Sequence, residues 1–266
     1  MIPIIHIGPF SLYTFGLVLA LAVWLGYCTF ALYYRRNGIP VPMPTAAAVV
    51  ILASLAGAKL DDAIVTRLVI YHRHPFAGSI IEMFRGGYTW FGALLFGLGA
   101  GAILMRVYRL PYLKTFDSLF CVAPAYAVGR IGCFLSGDGD YGVRSSLPWA
   151  VSFPDGLVPT TTRVHPTMLY QTVWELIIFS ILWRLSAVQN APQRIPGMLF
   201  GLYLMLTGFG RFLVEYLSLN PIAVFGLKEA QIVSMGLFVA GASIVFAAYG
   251  NAATASCDLA PAKRIP

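Results

Sequence analysis

Seven long apolar stretches separated by polar ones dominate the chain. They cover residues 12–34, 45–71, 90–108, 116–135, 167–185, 197–217 and 229–249. A helix needs about 20 apolar residues to cross the roughly 30 Å hydrocarbon core of a bilayer, and each stretch is near that length. The pattern therefore predicts an all-α, polytopic membrane protein with about seven transmembrane helices.

The polar stretches are short, with one exception. Residues 136–166 contain several Gly, Pro, Asp and Thr residues, and loops of this length are usually functional or locally structured. We expect a single integral membrane domain over residues 1–250, with an external loop at about 136–166, and a short cytoplasmic tail over residues 251–266. The first stretch lacks a preceding basic region and a small-residue cleavage site, so we expect a retained helix and not a signal peptide.

The distribution of Lys and Arg between alternate loops predicts the orientation, because these residues prefer the cytoplasmic side. Nine lie on one side: Arg35, Arg36, Arg106, Arg109, Lys114, Arg184, Arg194, Lys263 and Arg264. Five lie on the other: Arg73, Arg85, Arg144, Arg163 and Lys228. The split places the N-terminus outside and the C-terminus in the cytoplasm.

The composition agrees with a membrane protein. Of the 266 residues, 58% are hydrophobic and 11% are charged, and the mean hydropathy is +0.75. The net charge of +7 indicates membrane topology and attraction to lipid rather than a nucleic-acid surface. The four cysteines show no spacing typical of a metal site or a disulfide framework.

Two arginines lie within apolar stretches, Arg130 in VAPAYAVGRIGCFLSGDGDYG and Arg211 in GLYLMLTGFGRFLVEYL. A guanidinium at the bilayer centre costs roughly 2.5–3.5 kcal/mol on insertion scales, so such residues usually face a cavity, a partner charge or a ligand. An arginine fork binds phosphate oxygens in a bidentate manner. The alternative is internal pairing, with Asp138, Asp140 or Glu215 as the counter-charge.

Other polar residues in or beside the apolar stretches favour structural roles. Lys59, Asp61, Asp62 and Arg67 carry two charges of each sign and can neutralise one another. His165 precedes a proline at a predicted helix start, where a histidine usually caps or hydrogen-bonds. Closely spaced glycines such as Gly208 and Gly210 favour tight helix packing. A transporter would require paired broken helices and an internal repeat, and the sequence shows neither.

Seven motifs in order resemble the prolipoprotein diacylglyceryl transferase family of bacterial inner-membrane enzymes. They are GPFSLYTFGL, GAKL, GGYTWFGALL, GRIGCFLSGDGDYG, HPTMLYQ, GFGRFLVEY and LKEAQIVSMG, and they span nearly the whole chain. GRIGCFLSGDGDYG is the most specific of them. Arg130 and Arg211 fall on the family's essential arginines.

The resemblance implies transfer of a diacylglyceryl group from phosphatidylglycerol to the lipobox cysteine thiol of a prolipoprotein, with release of glycerol phosphate. It implies no metal or soluble cofactor, and a signal peptide as the second substrate. We expect the catalytic residues to be Arg130, Arg211, Asp138, Asp140 and His165. The expected substrate-binding residues are the same two arginines with Gly142, Glu215, Lys59, Cys133 and Tyr170. Two guanidiniums would stabilise the departing phosphate, and the nucleophile must be a thiolate.

The sequence departs from the family pattern at several motif positions. The histidine of the family motif HGGL, a candidate general base, corresponds to Phe91. The other departures are Phe15 and Thr207 for tyrosines, Cys133 for an asparagine, Gln171 for a glutamate and Lys59 for an arginine. Two outcomes remain open: another group such as Asp138, Asp140 or His165 assists the thiol, or the chain binds phospholipid or lipoprotein precursors without transfer.

Overall fold

The computed structural model describes residues 4–7, 10–61, 63–64, 90–188 and 195–258. Helices account for most of them. They are α1 (Thr14–Arg36), α2 (Met43–Asp61), α3 (Trp90–Val107), α4 (Tyr112–Phe116), a 3₁₀ helix (Leu119–Val122), α5 (Ala123–Ser136), α6 (Thr167–Val188), α7 (Met198–Glu215) and α8 (Glu229–Asp258).

Three small antiparallel hairpins accompany the helices, each a two-stranded sheet. They pair β1 (Ile4–Ile7) with β2 (Phe10–Tyr13), β3 (Val151–Phe153) with β4 (Thr160–Val164), and β5 (Ile222–Val224) with β6 (Leu227–Lys228). The predicted all-α class is therefore correct for most of the chain and incomplete at these hairpins. The second hairpin lies within the long stretch 136–166, which is locally structured as expected.

Within the described residues, five segments are long and apolar enough to cross a membrane. They are Thr14–Arg36, Met43–Asp61, Tyr112–Ser136, Met198–Glu215 and Glu229–Gly250. The predicted fourth stretch is not one continuous helix, because the chain passes through α4 and the 3₁₀ helix before α5. Pro124 stands in the first turn of α5, where its missing N–H leaves no hydrogen bond unsatisfied. The chain is thus a mostly helical membrane protein.

The chain divides into two compact units. Unit one comprises Met1–Asn37 and Leu113–Pro266, and unit two comprises Gly38–Tyr112. In unit two, α2 packs against α3. Gly57 and Gly92 allow this approach, because a Cβ on Gly57 would lie 2.4 Å from the carbonyl oxygen of Gly92. Small residues at such contacts bring helix backbones together in lipid.

In unit one, α1 packs against α5, α5 against α6, α6 against α7, and α7 against α8. Glycines of α7 allow its close contacts with α6 and α8. A Cβ on Gly208 would lie 2.7 Å from the carbonyl oxygen of Ser234, and one on Gly210 would overlap the Trp174 ring. Trp174 Nε1 also donates a hydrogen bond to Leu206 O, at 2.9 Å. The expectation of tight packing at Gly208 and Gly210 is confirmed.

The buried Asp117 holds the N-terminus of α7. Its carboxylate accepts hydrogen bonds from the backbone N–H groups of Gly197, at 2.9 Å, and Phe200, at 3.0 Å. Helix N-termini favour negative charge, since their first N–H groups lack partners within the helix. A carboxylate from the segment ahead of α5 therefore positions the helix that carries Arg211.

We predict that Asp117→Ala lowers the free energy of unfolding by about 3 kcal/mol, because it removes two hydrogen bonds to a buried charged group. Thermal unfolding of the detergent-solubilised protein measures the effect. Asp155→Ala is the matched control, since Asp155 is exposed, and its effect should stay within about 0.5 kcal/mol. Equal melting temperatures for the two variants would contradict the role of Asp117.

Candidate active site

Arg130 lies in the middle of α5 and pairs with the turn that follows the helix. The helix ends at Ser136, and Gly137 adopts the left-handed conformation (φ 59°) that glycine tolerates. The chain then returns so that Asp140 Oδ2 accepts a hydrogen bond from Arg130 Nη1 at 2.6 Å. Asp138 shapes this turn, since its Oδ1 accepts the backbone N–H of Asp140 at 3.2 Å.

Arg211 pairs with Glu215 one helical turn later, with 3.0 Å between Nη2 and Oε2. Glu215 is fully buried, and its Oε1 accepts a hydrogen bond from Asn220 Nδ2 at 2.7 Å. Lys228 Nζ donates to the carbonyl oxygens of Glu215, at 2.8 Å, and Ser218. The C-terminal end of α7 is therefore held in place by the following hairpin.

Gly142 connects the turn after α5 with the residues that follow α7. Its N–H donates to His165 O at 2.8 Å, and it forms an isolated antiparallel bridge with Ser218. A Cβ at this position would lie 2.5 Å from Leu217 O. Only glycine allows the turn after α5 to approach the end of α7 this closely, so Gly142 positions the site through its backbone.

Arg130 and Arg211 lie on helices that share a neighbour, since α5 and α7 each pack against α6. Tyr126, one turn before Arg130 on α5, lies close enough to both guanidiniums to be affected by their charge. The exposed fraction is 12% for the Arg130 side chain and 32% for Arg211. Arg130 Nε is buried and has no hydrogen-bond partner among the described residues. Both arginines thus retain capacity beyond their ion pairs.

A second group of polar side chains lies deeper between α5, α6 and α7. Tyr126 OH donates to Gln171 Oε1 at 3.4 Å, and Thr207 interacts with Glu175 and Tyr203. Buried atoms without a hydrogen-bond partner among the described residues include Gln171 Nε2, Glu175 Oε2 and Thr207 Oγ1. Tyr126, Glu175 and Tyr203 are not among the site residues expected from the sequence. An ionisable residue inside an apolar stretch was the available signal for Glu175.

His165 and Tyr170 form a separate cluster with Trp149. Tyr170 OH lies 3.1 Å from His165 Nδ1 and accepts a hydrogen bond from Trp149 Nε1 at 2.8 Å. The backbone of His165 contacts Gly142, as described above, while its ring is directed to Tyr170. Cys133 lies beside the arginine, with its Sγ 3.5 Å from Arg130 Nη1.

The remaining expected residues belong to unit two or lie outside the description. Lys59 is half-buried in the last turn of α2. Asp62, Arg67 and the side chain of Phe91 fall outside the described residues. The role expected for Lys59 therefore stays a prediction.

One group in the described residues has the composition of a metal site. Ligand atoms of Cys133, Asp138 and Asp140 lie within 4.8 Å of one another. However, Asp140 is already bound to the Arg130 guanidinium, and a cation there would face a fixed positive charge. The positive charge of Arg130 therefore favours an anion over a cation at this position.

The arrangement can bind a phosphate at the edge of the apolar region. Guanidiniums offer several N–H donors in a fixed fork, and donors directed at developing negative charge lower the barrier to expelling a phosphate. The fold defines the class as a mostly helical membrane protein, and its two partly buried arginines are chemically suited to hold an anion.

Comparison with known proteins defines the family. The family model described as prolipoprotein diacylglyceryl transferase matches residues 3–247, and the chain belongs to that family. A phosphatidylglycerol–prolipoprotein diacylglyceryl transferase from Symbiobacterium thermophilum is 32% identical, covering 89% of this chain and 88% of the relative. Proteins of the same name from Prochlorococcus marinus (89% and 86% covered) and Thermosynechococcus vestitus (92% and 91%) are each 28% identical. The resemblance inferred from the motifs is confirmed.

We predict that Gly142→Ala destabilises the protein by about 1–3 kcal/mol, because the new methyl group would overlap Leu217 O and force the backbones apart. Thermal unfolding in detergent checks this. Gly236→Ala is the control, since a Cβ on Gly236 meets nothing within 4 Å. If Gly142→Ala melts at the temperature of the control, the close backbone approach at Gly142 is unimportant.

Proposed function

We propose that the chain transfers a diacylglyceryl group from phosphatidylglycerol to the lipobox cysteine thiol of prolipoproteins, the thioether-forming step of lipoprotein biosynthesis. The observation that carries this proposal is a pair of arginines, 12% and 32% exposed, on two helices that pack against the same helix, in a member of this family. The relatives' names give the reaction class, and the arginine pair supplies the phosphate site that the reaction requires.

The two ion pairs differ in a way that suits binding of a lipid phosphate. Asp140 is 52% exposed, so its carboxylate regains water when it leaves Arg130, and a phosphate compensates the Arg130 charge in its place. A phosphate can therefore replace Asp140 at Arg130 with little loss. Glu215 is fully buried and held by Asn220, so it keeps Arg211 in position while the remaining N–H groups of Arg211 face the ligand.

Further parts of the proposal concern the membrane. We infer about seven transmembrane helices in one membrane domain over residues 1–250, the N-terminus outside, a cytoplasmic tail over 251–266, and location in the bacterial inner membrane. The five apolar helices support the membrane location. The loop 136–166 would then lie on the external side, where the signal peptide presents its cysteine.

Further roles are proposed for the neighbouring residues. Asp138 and Asp140 would shape the phosphate site through the turn after α5, and Gly142 and Glu215 would fix its backbone and its second arginine. Cys133 would contact the headgroup beside Arg130. His165, Tyr170 and Lys59 would contact substrate or support the residues that do.

We predict that Arg130→Ala and Arg211→Ala each reduce transfer by at least about 100-fold, because each removes charge stabilisation of the leaving phosphate. The assay uses purified protein in phosphatidylglycerol vesicles with a lipobox peptide, read by the added diacylglyceryl mass. Lysine replacements should restore only part of the activity, since lysine lacks the bidentate fork.

The control is Arg184→Ala, an exposed arginine near the opposite end of α6, which should retain transfer. Full activity in Arg130→Ala or Arg211→Ala contradicts the assignment. An unsubstituted chain that retains phosphatidylglycerol but adds no mass would instead support the binding-only alternative that Phe91 raises.

A further inference from the structure

We propose that Glu175 accepts the proton of the substrate thiol during transfer, an inference that rests on the proposed function. The transfer needs a thiolate, and the residue corresponding to the family's candidate base is Phe91, which cannot take a proton. A carboxylate elsewhere in the site would then accept the proton.

The other acidic and basic candidates of unit one are engaged. Asp140 is bound to Arg130 and its side chain is 52% exposed, so when a phosphate takes its place at Arg130 the carboxylate is released toward solvent and not into the buried part of the site. Asp138 accepts the backbone N–H of Asp140, and the His165 ring contacts Tyr170. Of the buried carboxyl groups in the described residues, Asp117 binds two backbone N–H groups and Glu215 is paired with Arg211.

Glu175 differs from all of these. Its side chain lies on α6 with 4% of the residue exposed, and its Oε2 has no hydrogen-bond partner among the described residues. A buried carboxyl oxygen without a hydrogen-bond partner lowers the stability of the fold, and a functional role is one explanation for retaining it. No arginine or lysine pairs with it in the described part of the chain, so it is available to take up a proton.

Tyr126 and Gln171 place Glu175 near the arginines. Tyr126 lies one turn before Arg130 on α5 and donates to Gln171 Oε1 at 3.4 Å, and Glu175 follows Gln171 by one turn on the same face of α6. Tyr126 also lies close enough to Arg130, Arg211 and Glu175 to be affected by their charges. The titratable groups that face Glu175 are Tyr126 from α5 and Tyr203 from α7, and the hydroxyl of Thr207 is adjacent. A hydroxyl between the phosphate site and the carboxyl is suited to relay a proton.

The proton and the electron pairs can be followed through the proposed reaction. The Tyr126 hydroxyl, which donates to Gln171 Oε1 in this structure, would turn to Glu175 and pass its proton there as it takes up the thiol proton. The sulfur then forms a bond to the glyceryl carbon that bears the phosphate, the carbon–oxygen bond breaks, and its electron pair leaves on the phosphate oxygen between the arginines. The proton on Glu175 returns through Tyr126 to the glycerol phosphate dianion. No oxidant or further reactant is required.

The test is the pH dependence of transfer by Glu175→Gln. At pH about 7 we expect roughly 100-fold loss, the scale of general-base catalysis. Near pH 9.5 the loss should shrink to about 10-fold or less, because a thiol with a pKa of about 8.5 ionises unaided. A purely structural role gives a loss that does not depend on pH, and that result overturns the inference.

Two further variants sharpen the test. Gln171 lies one helical turn before Glu175 on the same face of α6, so the exchange Gln171→Glu/Glu175→Gln should recover at least about 10-fold over Glu175→Gln alone. Tyr126→Phe removes the relay and should show the same pH signature, which provides a test even if Glu175→Gln fails to fold. Phosphatidylglycerol retention should be unchanged in every folded variant.

The outcomes separate the two proposals. An unsubstituted chain without transfer removes the proposed function and this inference together. An active unsubstituted chain with an equally active Glu175→Gln, or with a pH-independent defect in Glu175→Gln and Tyr126→Phe, removes the inference and leaves the proposed function standing.

Discussion

A guanidinium in the apolar part of a membrane protein requires a counter-charge, and this requirement organises the site. Arg130 obtains Asp140 through a turn that begins with the left-handed Gly137. Arg211 obtains Glu215 from its own helix, and that helix end is held by Asn220, just before the third hairpin, and by Lys228 within the hairpin. Gly142 then ties the two ends together through backbone contacts. Turn, helix end and hairpin are all arranged around two charges that are costly to bury.

The counter-charges also determine what the site can exchange. A half-exposed carboxylate such as Asp140 is replaced by a ligand anion at small cost, whereas a fully buried one such as Glu215 leaves an uncompensated charge if it is lost. One arginine therefore has an exchangeable partner and the other a fixed one. Deeper between α5, α6 and α7, Glu175 adds a carboxyl without a charged partner. In the proposed mechanism, Arg130 and Arg211 would bind the phosphate and Glu175 would take up the proton, with Tyr126 as the relay.

The length of the apolar stretches was enough to predict most of the helices. Charged residues inside those stretches were enough to select Arg130 and Arg211 as candidate site residues. Both signals are local in the sequence. The pairing of Arg211 with Glu215 follows from helical spacing. The pairing of Arg130 with Asp140 rather than Asp138 depends on the conformation of Gly137 and Gly139, which the sequence permits but does not determine. Three hairpins and the break before α5 were missed, since short strands carry weak patterns. Tyr126 and Tyr203 were missed because their hydroxyls point inward from positions that look like ordinary apolar packing.

The central claim is that Arg130 and Arg211 bind one phosphate. A double-mutant cycle on phosphatidylglycerol affinity, measured for the unsubstituted chain, each single alanine variant and the double variant, tests it most directly. Shared binding predicts non-additive losses with a coupling energy of roughly 0.5–3 kcal/mol, as for groups in one network. Losses that add within about 0.3–0.5 kcal/mol, the behaviour of independent sites, would contradict the account.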